Sequence, residues 1–450
     1  MKKIRLLTFL FAAALLCGLA YFSIEEANNK RAQNEMFEEI LFKAEQGDIE
    51  AKTALGLVYA TGELGVKNDY LEAYKWFQRA AEKGMPIAQY NLGLMYAKGQ
   101  GVPRDDIKAV EWYRKAAEQG LAEAQLNLGV ALANGTMGIT QNFDEAINWF
   151  HKAAEQGLAR GQLYLANAYA YGTTGLSQNF EEAIKWYRKA AEQGNPPAQF
   201  YLGSAYSIGK SVAQDSAEAI KWYRKAAKQG HSEAQFNLGT AYAGGIGVSQ
   251  NYPEAIKWYQ KAAEQGNAEA QNDLGALYSL GREGLQQDQK KAVKWLQKSA
   301  EQGNPNAQQN LGVKYLTGTG VSKSILKAEE WFRKAAEQGM LPAQVNLGKM
   351  YTGVPGIRKD FKEALKWYHR AAEGGNAKAQ NNLAVMYLKG HGVSQDYVEA
   401  YFWLYLASQQ EKIHRRNLNT VARKISPEIL PSIHKRANEW QANKLIQSSD

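Results

Sequence analysis

The stretch AQYNLGLMYAKGQGVPRDDIKAVEWYRKAAEQG, from Ala88 to Gly120, decides the fold. Its first half sets Gln89, Leu92, Gly93 and Tyr96 at i, i+3, i+4 and i+7, one face of a helix. Its second half repeats that spacing with Ala109, Trp112, Tyr113, Ala116 and Ala117. Between the halves, KGQGVPRD holds glycines that can take positive φ and stop a helix. The stretch therefore predicts two helices joined by a glycine-rich loop.

The same sentence returns along the chain, for instance as AQFNLGTAYAGGIGVSQNYPEAIKWYQKAAEQG from Ala234 to Gly266. Trp76, Trp112, Trp149, Trp186, Trp222, Trp258, Trp295, Trp331, Trp367 and Trp403 mark it at intervals of 36 or 37 residues, and only Trp440 stands outside the register. Ten copies run from about Asp48 to Gln410. A period of that length predicts stacked helix pairs, each burying its apolar face on the next.

Seven residues before each of these tryptophans stands an N-cap type: Asp69, Asp105, Asn142, Asn179, Asp215, Asn251, Asp288, Ser324, Asp360 and Asp396. Three residues later, Glu72, Glu145, Glu182, Glu218, Glu254, Glu363 and Glu399 predict capping boxes in seven of the ten copies. The pattern AAEQG ends the second helix on a glycine suited to a left-handed turn. A small residue follows the leucine of each first helix, as at Gly93 and Gly348. Glycine inside a helix costs about 1 kcal/mol against alanine, so its recurrence predicts helices approaching too closely for a side chain.

The pattern AxAQxxLGxxYxxGxGVxxDxxxAxxWxxKAAEQG resembles the Sel-1-like repeat, a short relative of the tetratricopeptide repeat, and covers roughly 80% of the chain. The resemblance implies an all-α fold, a right-handed α-solenoid superhelix of antiparallel helix pairs, with adaptor or scaffold roles in protein complexes. The expected organisation is a signal peptide or uncleaved anchor over 1–20, a linker over 21–33, a half-repeat over 34–47, ten repeats over 48–410, and capping helices with a tail over 411–450. The carboxy-terminal stretch is similar to the cap of bacterial Sel-1-like proteins, and its basic character suits either a solvated cap or a dock for an anionic surface.

Composition narrows the function. The formal charge is +9, but Lys2, Lys3 and Arg5 and the basic residues beyond 410 hold most of it, which leaves the repeats without a footprint for nucleic acid. The basic start, the apolar run Leu6 to Phe22 and the small residues Gly18 and Ala20 predict export, with cleavage before Tyr21 or retention as an anchor. A periplasmic or secreted location follows, with the membrane touched only through this segment. Cys17, the only cysteine, lies within it, so the repeats hold no disulfide. His151, His231, His369, His391, His414 and His434 form no i, i+3 or i+4 pair, and the Gly-x-Gly fragments follow no strand, so neither a metal nor a nucleotide cofactor is expected. The N-cap acids are spread one repeat apart instead of converging, which argues against catalysis.

First helices are expected to line a concave groove. The position before their leucine reads Ala54, Asn91, Asn127, Tyr164, Tyr201, Asn237, Asp273, Asn310, Asn346 and Asn382. From Asn91 onward these are the candidate partner-binding residues, because a primary amide both donates to and accepts from a peptide backbone. Related tetratricopeptide superhelices use such a ladder; the alternative is bonding between repeats. Tyr164 and Tyr201 suit either a specificity patch or packing. One residue earlier, Tyr90, Leu126, Leu163, Phe200 and Phe236 form either an apolar stripe of the groove or part of the core. A protein or peptide partner is therefore expected, with a glycan or peptidoglycan binder as the alternative. The β-lactamase-like activity linked to cysteine-rich relatives depends on cysteine pairs that this chain lacks.

Overall fold

The computed structural model describes residues 29–135, 139–173, 176–281, 284–411, 413 and 415–447. The residues expected to direct export, 1–20, lie outside the described ones, as does His414. Among the described residues no helix is long and apolar enough to cross a membrane. The chain divides into two compact units, up to Ala226 and from Ala227 onward.

The fold is all-α, a tandem of helix pairs in the α-solenoid manner. Helix α1 covers residues 29–45. In the first unit there follow α2 (Ile49–Thr61), α3 (Tyr70–Ala81), α4 (Pro86–Lys98), α5 (Asp106–Glu118), α6 (Ala122–Asn134), α7 (Phe143–Glu155), α8 (Ala159–Tyr171), α9 (Phe180–Glu192), α10 (Pro196–Ile208) and α11 (Ser216–Lys228), in which the division falls. The second unit continues with α12 (Ser232–Gly244), α13 (Tyr252–Glu264), α14 (Ala268–Leu280), α15 (Gln289–Glu301), α16 (Pro305–Thr317), α17 (Ile325–Glu337), α18 (Leu341–Gly353), α19 (Phe361–Glu373), α20 (Ala377–Lys389) and α21 (Tyr397–Gln410). The last two are α22 (Arg415–Ala422) and α23 (Leu430–Gln447). Even-numbered helices α2 to α20 are the first helices of ten pairs, and each packs on the odd-numbered helix that follows it.

All ten predicted N-caps accept a backbone N–H at their second helix, as Asp105 does from Lys108 at 3.0 Å and Ser324 from Lys327 at 3.3 Å. The reciprocal half of the capping box does not form. The backbone N–H of the cap residue donates instead to the first helix of its own pair, as from Asp105 to the Tyr96 carbonyl and from Asp396 to the Tyr387 carbonyl, each at 3.0 Å. That bond satisfies the cap's own amide, so the following glutamate turns to a cation: Glu72 to Lys75 at 2.6 Å, Glu218 to Lys221 at 2.7 Å.

Glycine explains how closely the two helices of a pair pack. A Cβ on Gly348 would lie 2.5 Å from Tyr368 Cε1, and one on Gly93 2.7 Å from Tyr113. The ring that fills this space belongs to the residue after the tryptophan. The tryptophans sit at the seam with the neighbouring pair, where Trp367 is 1% exposed and Trp258 7%. A basic side chain one turn on roofs the indole, as Lys115 does over Trp112 at 3.9 Å and Lys225 over Trp222 at 3.8 Å.

Helix α1 begins at residue 29, inside the stretch expected as a linker, and Arg31 and Glu35 pair there at i, i+4. Its Phe37, Ile40, Leu41 and Ala44 pack against Leu55 and Trp76, as a second helix would. At the other end α22 and α23 both pack on α21. Trp440 of α23 meets Trp403 edge-on, with centroids 6.0 Å apart, which accounts for the one tryptophan outside the register.

A candidate partner-binding face on the first helices

Each candidate residue sits between two buried neighbours. On one side is the leucine of the first helix, 0 or 1% exposed, and two residues before it is a buried glutamine. Helical geometry therefore leaves Asn91, Asn127, Tyr164, Tyr201, Asn237, Asp273, Asn310, Asn346 and Asn382 at the edge of the core, and all nine are half-buried.

In the first unit these residues are largely engaged within the fold. Asn91 Nδ2 donates to the Ile87 carbonyl of its own helix at 2.8 Å. Asn127 Nδ2 reaches Tyr90 Oη on the preceding first helix at 3.4 Å. Tyr164 lies on Phe150 with centroids 5.2 Å apart, and Tyr201 stacks on Tyr187 at 5.1 Å. Each of these two tyrosines thus packs on the second helix of the preceding pair. The position before them is also core-directed: Leu126 is 2% exposed, and Tyr90 tilts against Tyr113 at 5.9 Å. Burial pushes the Tyr113 and Tyr187 hydroxyls far above the usual phenol range, so they stay protonated.

The second unit differs. Besides Phe236 and Val345 it has Asn272, Gln309 and Asn381 at the position where the first unit has Tyr90, Leu126, Leu163 and Phe200. Asn310 Nδ2 donates to Asn272 Oδ1 across neighbouring first helices at 3.2 Å, and Asn272 Nδ2 donates to Asp273 Oδ1 at 3.0 Å. Burial, followed by the nearby Glu269 charge, raises the Asp273 carboxyl above its ordinary value against the lowering effect of Asn272. The Tyr368 hydroxyl lies beside Thr352 and Asn382. Asn237 and Asn346 make no side-chain hydrogen bond to another described residue.

A second recurring amide escaped the sequence reasoning. The glutamine two residues before the ladder position donates to the second-helix carbonyl eight residues back, as Gln89 does to Ala81 at 3.2 Å and Gln308 to Ala300 at 3.1 Å. It accepts from the glutamine of the next AAEQG turn: Gln119 reaches Gln89 at 2.7 Å, Gln265 reaches Gln235 at 2.7 Å, and Gln338 reaches Gln308 at 2.9 Å. Glutamines recurring at both AQ and EQG were the available signal. The buried first-helix glutamine is thus a latch that ties the second helix of the preceding pair to the end of its own pair, so it belongs to the scaffold and not to the binding face.

The histidines are scattered. His151 and His369 pair with Glu155 and Glu373 one turn on, His391 stacks on Phe361, and the His434 ring lies against Tyr401 and Tyr405. Among the described residues no three His, Cys, Asp or Glu side chains group as metal ligands.

The repeats match the Sel1 repeat family in ten consecutive segments, 49–85 through 377–412, and the chain belongs to that family. Among solved structures it is similar to a protective antigen of uropathogenic Escherichia coli displaying an SLR fold, at 37% identity over 90% of this chain and 94% of that one, with a TM-score of 0.52. It is also similar to a Sel1 repeat protein from Oxalobacter formigenes, at 32% identity over 72% of this chain and 93% of that one, with a TM-score of 0.52. A shorter match of 69 residues at 35% identity joins it to the ERAD-associated E3 ubiquitin-protein ligase component HRD3A of Arabidopsis thaliana, over 15% of this chain. The chain spans about 10% of the length of that relative. Sel1 repeat proteins are protein–protein interaction scaffolds, and the fold is not typically catalytic.

Proposed function

We propose that this chain is an exported scaffold that holds a protein or peptide partner on the exposed edge of its first helices. The observation that carries the proposal is the half-buried ladder position: six of its ten residues are asparagines, with Asn237 and Asn346 keeping their amides unengaged. Neither amide is among the buried side-chain groups without a partner, so both stay open to solvent and to the backbone of a bound peptide. Export rests on the basic and apolar start of the chain, and a periplasmic or secreted location follows from it. The similar Escherichia coli protein is a protective antigen, a role compatible with export.

The test is affinity capture from the native envelope with the full chain and with Asn310→Ala, Asn346→Ala and Asn382→Ala combined. The partner should be depleted from the triple variant while its melting temperature stays near that of the parent. Equal recovery of every captured protein would discard the ladder as a binding face. Alkaline phosphatase fused to the carboxy terminus should be active in cells, and its inactivity would discard export.

A further inference from the structure

In the second unit the first-helix face is acidic at α14 and basic at α18 and α20. On α14, Glu269 and Asp273 are four residues apart and share a face. Asp273 is half-buried, its Oδ1 accepts from Asn272 at 3.0 Å, and no described lysine or arginine pairs with it. Further along the stack, Lys349 on α18 lies three residues after Asn346, and Lys378 on α20 lies four before Asn382. Both lysines are exposed, and neither forms an ion pair among the described residues. Lys314 on α16 is turned aside to Gln289 Oε1 at 2.6 Å, which leaves the middle of the face to the uncharged amides of Asn310 and Asn346.

Asp273 is a costly occupant of its position. Six other copies have the neutral asparagine there, and burying a carboxylate without a counter-ion works against the fold. A residue that lowers stability where a cheaper one is available is expected to serve binding.

We propose that this face takes an extended peptide segment of a partner protein whose basic side chain lies over Glu269 and Asp273 and whose acidic side chain reaches Lys349 or Lys378. The inference rests on the reading that partners bind along the first helices, and it adds the chemistry and polarity of the bound segment. Two or three steps between first helices, at roughly 10 Å each, span about 20–30 Å, or about six to nine residues of extended chain.

The probe is a library of random dodecapeptides displayed on phage and panned on the full chain. Selected peptides should carry a lysine or arginine about six to nine residues from an aspartate or glutamate, in one orientation more than its reverse. Their affinity should fall about tenfold in Asp273→Asn and again in Lys349→Ala with Lys378→Ala, each variant keeping the parental circular dichroism. Peptides that bind without this charge pattern, or that ignore Asp273→Asn, overturn the polarity. If those same peptides lose affinity in the triple asparagine variant, the binding face stands without the polarity; if they ignore that variant too, the face fails as well.

Discussion

Gly374 stands where earlier repeats place a glutamine, and the Gln344 Oε1 that would accept its hydrogen bond is buried without a partner. One repeat earlier the contact is whole, with Gln338 donating to Gln308 at 2.9 Å. Leu341 occupies the vacated space: a Cβ on Gly374 would lie 2.2 Å from its Cδ2. The two glutamines therefore differ in what each contributes. Gln308→Leu removes an intact latch and should cost about 1–3 kcal/mol, whereas Gln344→Leu loses only the bond to the Ala336 carbonyl and should cost less by about 1 kcal/mol. Urea midpoints of the two variants check the order.

Close packing makes a second expectation. Gly348→Ala places a methyl 2.5 Å from the Tyr368 ring, and overpacking of that kind costs about 1–3 kcal/mol. The gain in helix propensity offsets about 1 kcal/mol of it. A net loss should appear as a lower melting temperature, and an unchanged one would mean that α18 and α19 separate freely.

Asp273 links stability to pH. Its folded-state carboxyl is raised, so the folded chain holds the proton more tightly than the unfolded one. The cost is absent below the ordinary aspartate value near pH 4 and is fully present once the pH exceeds the raised value. Asp273→Asn should therefore raise the melting temperature at pH 7 and leave it unchanged at about pH 3.5. A gain of equal size at both pH values would point to packing instead of charge.

His231 works in the opposite sense. Its Nδ1 accepts the Ala234 N–H at 3.4 Å at the start of α12, and burial lowers its pKa despite the nearby Glu233. Stability from the neutral ring is complete above about pH 6.5 and declines as the pH falls through that value, because a protonated Nδ1 cannot accept. Asparagine does this job at Asn195, Asn267, Asn304 and Asn376. His231→Asn should flatten the decline between about pH 7 and pH 5, as read from amide exchange in α12.

Sequence alone disclosed the helix pairs, the N-caps and the glycine contacts, because each depends on residues within one repeat. The tryptophan interval carried the stacking as well. The fate of the ladder was less legible, since Asn127 finds its partner in Tyr90 and Asn310 in Asn272, each on the preceding first helix. Tyr164 and Tyr201 suit a groove or packing by sequence, and their contacts with Phe150 and Tyr187 lie on the preceding pair, beyond what spacing within one repeat discloses. The latch glutamines are hard to read from sequence because both partners are ordinary surface residue types, and only the burial of the first-helix member, as low as 0% exposure at Gln380, marks them as structural. The capping boxes failed for a related reason, as the cap amide had a better acceptor on the adjoining helix.

That acceptor also determines which part of a repeat is free to change. Asp105 ties back to Tyr96, nine positions earlier, while Asn142 ties back to Leu132, ten positions earlier, with bonds of equal length, 3.0 Å. The odd residue of the longer repeats is thus taken up inside a ring clasped at its root, and the helices on either side keep their spacing. Foreign loops grafted within that ring should leave the stack intact, which makes the turn between the paired helices the natural place for such a protein to diversify.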